Sequence, residues 1–277
     1  MLSSFAAYLA RSVKPGTVAN YISAVRNLHL ECGMDDPTTG ATLLPRVLKG
    51  IKRVKGTAPS MTRLPLTSDL IRSVVDRLRN DPTSTPDDRV MLQAAILLAF
   101  HGFLRCAEFT VSDHAPFDPR FDAAGDSVKI AYHGGKPALQ FVVKRSKTDP
   151  FARGMTLYIG PATPQYCPVV AMVEYLSRSK PPLLRPLFRF KSGAPLTRRR
   201  FTDKLRALLQ LSGVSNVADY SGHSFRIGAA TTAAANGVPV WKIRAMGRWQ
   251  SDCVLRYIRS DPSDLLSVSM ALHSGPI

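Results

Sequence analysis

The stretch Gly222-His223-Ser224-Phe225-Arg226-Ile227-Gly228-Ala229-Ala230 sets a histidine and an arginine three residues apart, on one face if the segment is helical. Such a pair is common on helices, and taken alone it fits a satisfied surface pair as well as a chemical site. The small residues around it sharpen the reading, because they let a backbone or a nucleic acid approach closely. Downstream, Gly247-Arg248-Trp249 adds an indole N–H and Leu255-Arg256-Tyr257-Ile258-Arg259 adds a phenol flanked by cations. Phosphodiester transfer needs a nucleophile, cations around the pentavalent phosphorane, and a proton donor for the leaving oxygen. Arginine suits the nonbridging oxygens because its planar fork stays charged and binds bidentately. Trp249 can donate to such an oxygen or be an ordinary core residue. Tyr257 is the candidate nucleophile; a phenol with a pKa of about 10 is weak at neutral pH unless nearby cations favour the phenolate.

Two further groups lie upstream. Arg105, in Phe100-His101-Gly102-Phe103-Leu104-Arg105-Cys106-Ala107-Glu108-Phe109, follows an apolar run and must find an anion or reach solvent. An internal ion pair with Glu108 meets that need, and so does a phosphate. Lys144 and Lys147 flank Arg145-Ser146 in a polar turn, where a solvated lysine is the ordinary reading.

The net charge is +17, with 45% hydrophobic and 21% charged residues. That composition is globular, and the charge favours polyanions, whose counterions are released on binding. Charge alone does not separate DNA from RNA. No run of about 18 apolar residues fits a membrane span, and the N-terminus lacks a secretory pattern. Neither a basic amphipathic terminal helix nor a lipidation signal points to a membrane partner. We therefore read the chain as soluble and intracellular. Cys32, Cys106, Cys167 and Cys253 are scattered without metal-ligand spacing, which argues for buried free thiols rather than zinc or disulfides.

Along the chain, Pro15-Gly16 reads as a break and Thr17 as the cap of a helix whose apolar face is Val18, Tyr21, Ile22, Val25 and Leu28. A second helix carries Val47, Leu48, Ile51 and Val54, interleaved with Arg46, Lys49, Lys52, Arg53 and Lys55. A solvated face usually mixes its signs, so this single-sign stripe predicts phosphate contact. Gly56-Thr57-Ala58-Pro59-Ser60 reads as a linker. Thr67 or Ser68 caps a helix through Leu70, Ile71, Val74, Val75 and Leu78, and 91–100 is a buried helix ending at Gly102. Strands are predicted over 127–132, 138–143 and 155–159, with Gly134-Gly135 and Ser146–Pro150 at the turns. Beyond Pro168 the pattern is helical almost to the end, with faces Val169-Met172-Val173-Leu176 and Phe201-Leu205-Leu208-Leu209. The expected fold is mainly α, with one small antiparallel sheet.

The ordered set Arg105, His223-x-x-Arg226, Trp249 and Tyr257 resembles the signature of the tyrosine recombinases, the phage integrase family. It is closest to the Cre-like branch, which shares the Gly-Ala-Ala and has tryptophan where many members have histidine. The resemblance spans most of residues 15–260 and is specific only at these motifs. It implies a small helical core-binding domain followed by a mixed α+β catalytic domain, here residues 1–58, a linker over 59–66, and 67–277. The N-terminal unit is a helix or two short of the family's, and the segment between Trp249 and Tyr257 is one residue shorter than in the Cre-like pattern. By this resemblance Arg105 and Arg226 clamp the scissile phosphate, Glu108 orders the first motif, and His223 contacts the phosphate and helps move the tyrosine proton. Tyr257 attacks phosphorus, and a lysine on the hairpin between the second and third strands protonates the leaving oxygen. Lys147 fits that place best, with Lys144 behind it. Lys144, Arg145, Arg199 and Arg248 join the stripe as candidate DNA contacts, with Arg248, beside Trp249, standing also as a third cation.

The implied activity is a site-specific recombinase or integrase that cuts and rejoins double-stranded DNA through a 3′-phosphotyrosine, with neither cofactor nor metal. A monomer in solution and a homo-tetramer on paired sites are expected, with Leu265, Leu266, Val268, Met270 and Leu272 of the tail packing on a neighbour or on their own domain. The Gly-Arg-Trp form resembles recombinases of eukaryotic mobile elements, which implies a nucleus. Two alternatives stay open. A type IB topoisomerase shares the chemistry without synapsis. A domesticated, non-catalytic DNA-binding protein could use 231–249, with Gly237 at a turn, as a helix-turn-helix.

Overall fold

The computed structural model describes residues 1–56, 63–146, 149, 151–258 and 266. The linker beyond Gly56, Lys147, and the tail after Ile258 apart from Leu266 lie outside the described residues. The chain divides into two compact units, Met1–Thr62 and Arg63–Ile277.

The first unit is three helices, α1 (Leu2–Leu9), α2 (Pro15–Glu31) and α3 (Leu43–Lys55). Ala6, Ala10, Val18, Ile22 and Leu44 form its buried centre, with Val47, Leu48 and Ile51 against it. Pro15 starts α2 rather than breaking it, because a proline at the first helical position has no N–H to lose. The apolar faces are narrower than periodicity suggests. Tyr21, Leu28 and Val54 are exposed, since a bundle of three short helices covers only one stripe of each. All five basic residues of α3 are exposed, and no described carboxylate pairs with any of them.

The second unit is built around α5 (Pro86–His101). Thr85 caps it, Pro86 opens it, and Met91 to Phe100 is buried throughout except for the half-covered Gln93. The helix thus begins five residues before its apolar run, because its first turn carries the half-buried polar residues Asp87, Asp88 and Arg89. Packed on it are α4 (Ser68–Arg79), capped by the Thr67 hydroxyl, then α6 (Pro168–Ser179) and α8 (Gly222–Ala235). α7 (Arg198–Leu211) packs on α4, and α9 (Val240–Gly247) on α8.

The sheet is a three-stranded antiparallel meander, β1 (Val128–His133), β2 (Lys136–Val143) and β3 (Met155–Ile159). Gly134 and Gly135 both have positive φ, 57° and 76°, as a two-residue hairpin turn requires. In register, Ile130 faces Leu139 and Phe141 faces Leu157. Leu139, Phe141, Val143, Leu157 and Ile159 turn one face into the core. The described residues are mainly helical, with this one small sheet. All four cysteines are free; Cys106 and Cys167 are buried as expected, but Cys32 is exposed. No helix among the described residues is long and apolar enough to cross a membrane.

Candidate active site

Helix α8 carries His223 and Arg226 toward the turn that holds Arg105. Ser221 caps it, accepting from the His223 N–H, while the Ser224 hydroxyl oxygen accepts from the Ser221 N–H. A Cβ on Gly222 would collide with the Cys106 side chain, and one on Gly228 with the Leu66 backbone. Those glycines therefore seat α8 flush on the Arg105 turn and on the strap at Arg63–Leu66. The Leu66 N–H closes that strap onto the Ser224 carbonyl at 3.0 Å.

Arg105 and Glu108 form both a backbone and a side-chain contact. Glu108 Oε2 accepts the Arg105 N–H and Oε1 accepts the guanidinium, each at 2.9 Å. The carboxylate is buried, with only 2% of the side chain exposed, whereas Arg105 keeps 20%. Arg226 has no exposed surface. Its Nη1 donates to the Phe103 carbonyl at 3.0 Å, while its Nε and Nη2 have no partner among the described residues. Its guanidinium carbon lies 4.0 Å from the centre of the Trp249 ring and 5.7 Å from that of Tyr257. The Tyr257 ring is in turn 4.9 Å from Trp249 and 5.2 Å from His223, and the Thr231 hydroxyl donates to the Tyr257 carbonyl. Trp249 is buried and its indole N–H is also unpartnered.

Arg248, which the sequence offered as a third cation or a backbone-phosphate contact, has a buried side chain. Only 5% of its side chain is exposed, and Nη2 donates to Glu108 at 2.6 Å. Arg105, Arg226 and Arg248 thus gather around one carboxylate, which among the described residues leaves two positive charges of the cluster without a counterion. Burial, with the charges of Arg105 and Arg248, lowers the Arg226 pKa to about 9. Burial also lowers that of Arg248, joined by Arg105 and opposed by Glu108. Buried donors without partners, set in excess positive charge, form a receptacle for an anion. The two uncompensated charges equal those on the nonbridging oxygens of a phosphorane.

A protein from Selenomonas ruminantium described as an integrase/recombinase xerD homolog is 26% identical over 262 residues, covering 90% of this chain and 70% of that protein. The chain is thus similar to an integrase/recombinase over most of its length. Solved recombinases share its fold. The Tn1549 transposon integrase in complex with a circular intermediate DNA superposes with a TM-score of 0.59 at 13% identity, over 98% of this chain and 83% of that one. For XerH bound to a palindromic difH substrate the TM-score is 0.57 at 12% identity, over 98% and 69%. No family model matches the sequence.

The remaining candidate residues are placed as follows. Lys147 is outside the described residues, but its neighbours Ser146 and Asp149 line a cavity of about 660 Å³ together with Arg248 and Trp249. Lys144 donates to Asp126 at 2.6 Å and to the Pro119 carbonyl at 2.7 Å, so its ammonium is engaged inside the domain. Arg145 and Arg199 line a second cavity of about 510 Å³, which reaches Ala107 and Ser221 beside the Arg105 turn. Arg63, Arg198 and Arg206 line it too, and the sequence reading passed over them. The run Arg198-Arg199-Arg200 at the head of α7 was the available signal.

Proposed function

We propose that this chain is a site-specific DNA recombinase that cuts and rejoins strands through a 3′-phosphotyrosine. The observation that carries the proposal is the set of buried, unpartnered Arg226 and Trp249 N–H groups beside the Tyr257 ring. In this reading Arg105 and Arg226 bind the nonbridging oxygens and Trp249 adds its indole N–H. Tyr257 Oη bonds to phosphorus as its proton leaves toward His223, and the P–O5′ bond breaks. Lys147 donates a proton to the leaving 5′ oxygen. A 5′-hydroxyl of a partner strand then attacks the phosphotyrosine, gives up its proton and releases Tyr257. The ester bond is conserved throughout, so the balance needs neither ATP nor metal. Because Arg226 is fully covered, a phosphate reaches it only after the Tyr257 or Trp249 ring shifts. DNA engagement and assembly of the site are therefore one step.

Trp249 in place of histidine and the Gly-Arg-Trp form support the Cre-like branch, and with it a mobile-element recombinase acting in a nucleus. The domains follow the division at 59–66. The α3 stripe, Arg145 and Arg199 hold phosphates of double-stranded DNA, and a tetramer forms on paired sites. The 231–249 segment does form helix, turn and helix, with Gly237 at φ 72°. A surface reader of DNA, however, gains nothing from burying an unpaired arginine.

The test is a nicked duplex, selected by binding from a randomised library, from which the 5′ fragment diffuses away after cleavage. Wild type is expected to form a covalent protein–DNA adduct, and Arg226→Ala to bind the duplex without forming it. Wild-type-like cleavage by Arg226→Ala would overturn the assignment.

A further inference from the structure

Two non-glycine residues at this site hold left-handed backbone, Phe103 at φ 50° and Arg248 at φ 58°. That conformation is costly for any residue with a Cβ, and strain of this kind persists only where surrounding contacts enforce it. At Arg248 a glycine would adopt it freely. The chain instead keeps an arginine there and buries it.

Arg248 closes α9 one residue before Trp249. Its Nη1 donates to the Gly102 carbonyl at 3.2 Å, and its Nη2 to the Phe103 carbonyl at 3.4 Å and to Glu108 Oε2 at 2.6 Å. The Phe103 carbonyl is the same atom that receives Arg226, and the Phe103 ring stands edge-on to Trp249 at 6.4 Å. Glu108 Oε2 is the same atom that accepts the Arg105 N–H. One side chain therefore joins the carboxylate that aims Arg105, the carbonyl that aims Arg226 and the backbone that delivers Trp249. With 5% of its side chain exposed, Arg248 spends both terminal nitrogens on these internal acceptors, and only its Nε is left without a partner among the described residues.

We infer that Arg248 is a positioning residue for strand cleavage, fixing the two phosphate arginines and the tryptophan in one frame without itself touching the phosphate. The inference rests on the recombinase reading. It distinguishes Arg248 from Arg105 and Arg226, which bind the anion directly.

The experiment measures DNA affinity and the single-turnover cleavage rate on the library-selected nicked duplex for wild type, Arg248→Gly, Glu108→Gln and the double variant. Each is repeated on a duplex with a methylphosphonate at the scissile position, which removes one nonbridging charge. Arg248→Gly is expected to bind within about threefold of wild type and to cleave about 100-fold more slowly, the cost of misplacing reacting groups by about 1 Å. Adding Glu108→Gln should lower the rate little further, because the two act as a unit. The methylphosphonate should not restore Arg248→Gly, since the lost group did not face the phosphate charge. Wild-type cleavage by Arg248→Gly, additive losses in the double variant, or rescue by the methylphosphonate would each overturn the inference, the last by making Arg248 a phosphate ligand. Arg248→Lys, which keeps the charge but not the forked geometry, stands in if the glycine variant does not fold. Failure of both to fold would make the residue structural and also overturn it. Absence of an adduct with wild type would instead count against the recombinase reading itself.

Discussion

Replacing Arg226 by methionine should stabilise the free protein while abolishing cleavage. The guanidinium has no exposed surface, one hydrogen bond to Phe103 and two nitrogens without partners. Each unsatisfied buried donor costs about 1–3 kcal/mol. Against this stand the hydrogen bond, worth about 1.5–3 kcal/mol for a charged donor, and the contact with the Trp249 ring, worth about 0.5–2 kcal/mol. Neighbouring cations tip the balance. Arg105 and Arg248 repel Arg226, opposed by Glu108 and, less, by Tyr257. Methionine fills a similar volume, and the Phe103 carbonyl keeps its contact with Arg248, so nothing new is left unsatisfied. Buried ion clusters replaced by well-packed apolar groups gain about 1–4 kcal/mol in other proteins; we expect a gain of about 1–3 kcal/mol here. Urea unfolding of wild type and Arg226→Met at pH 7 reads this directly, with unchanged slope and a higher midpoint. A loss of more than about 1 kcal/mol would refute the reasoning, because it would mean that the arginine is already satisfied in the free protein.

Three further outcomes follow from the same structure. His101, at the end of α5, has its pKa lowered to about 4, chiefly by burial; against an unfolded value of about 6.5 the unfolded chain takes up the proton first, so stability falls on acidification from pH 6.5 toward 4, by about 2 kcal/mol between pH 7 and 5. Urea midpoints at the two pH values should show this for wild type and lose it in His101→Gln; an equal pH dependence in the variant would contradict it. Gly228→Ala drives a methyl into the Leu66 backbone and should cost about 1–3 kcal/mol, with thermal unfolding as the check and an unchanged midpoint as the contrary result. Lys49→Ala with Arg53→Ala, both on the exposed face of α3, should reduce the slope of log affinity against log salt by about 2 on duplex DNA; an unchanged slope would remove α3 from the phosphate contacts.

The parts of the fold that obeyed a local rule were legible. The Gly134-Gly135 turn marked the first hairpin, the Thr67 cap marked α4, and the apolar run of α5 marked the central helix. Boundaries slipped where a polar first turn precedes the apolar run, as at Asp87-Asp88, and at Pro15, where proline opens a helix rather than breaking it. Faces were overcalled in the first unit, because periodicity shows which residues share a side and not how much of that side a neighbour covers; hence Tyr21, Leu28 and Val54. The types and spacing of the site residues were visible in the chain. Arg248 was not, because its role depends on a left-handed turn and on a carboxylate 140 residues upstream. The covered state of Arg226 was equally hidden, since it arises from two rings folding over it.

The central claim is that Tyr257 becomes covalently joined to DNA. Protease digestion of the trapped adduct, followed by mass spectrometry of the nucleotide-bearing peptide, tests it most directly. The account predicts a 3′-linked nucleotide on Tyr257 and no adduct from Tyr257→Phe, with duplex binding intact. An adduct on another residue, or one that survives Tyr257→Phe, would contradict it.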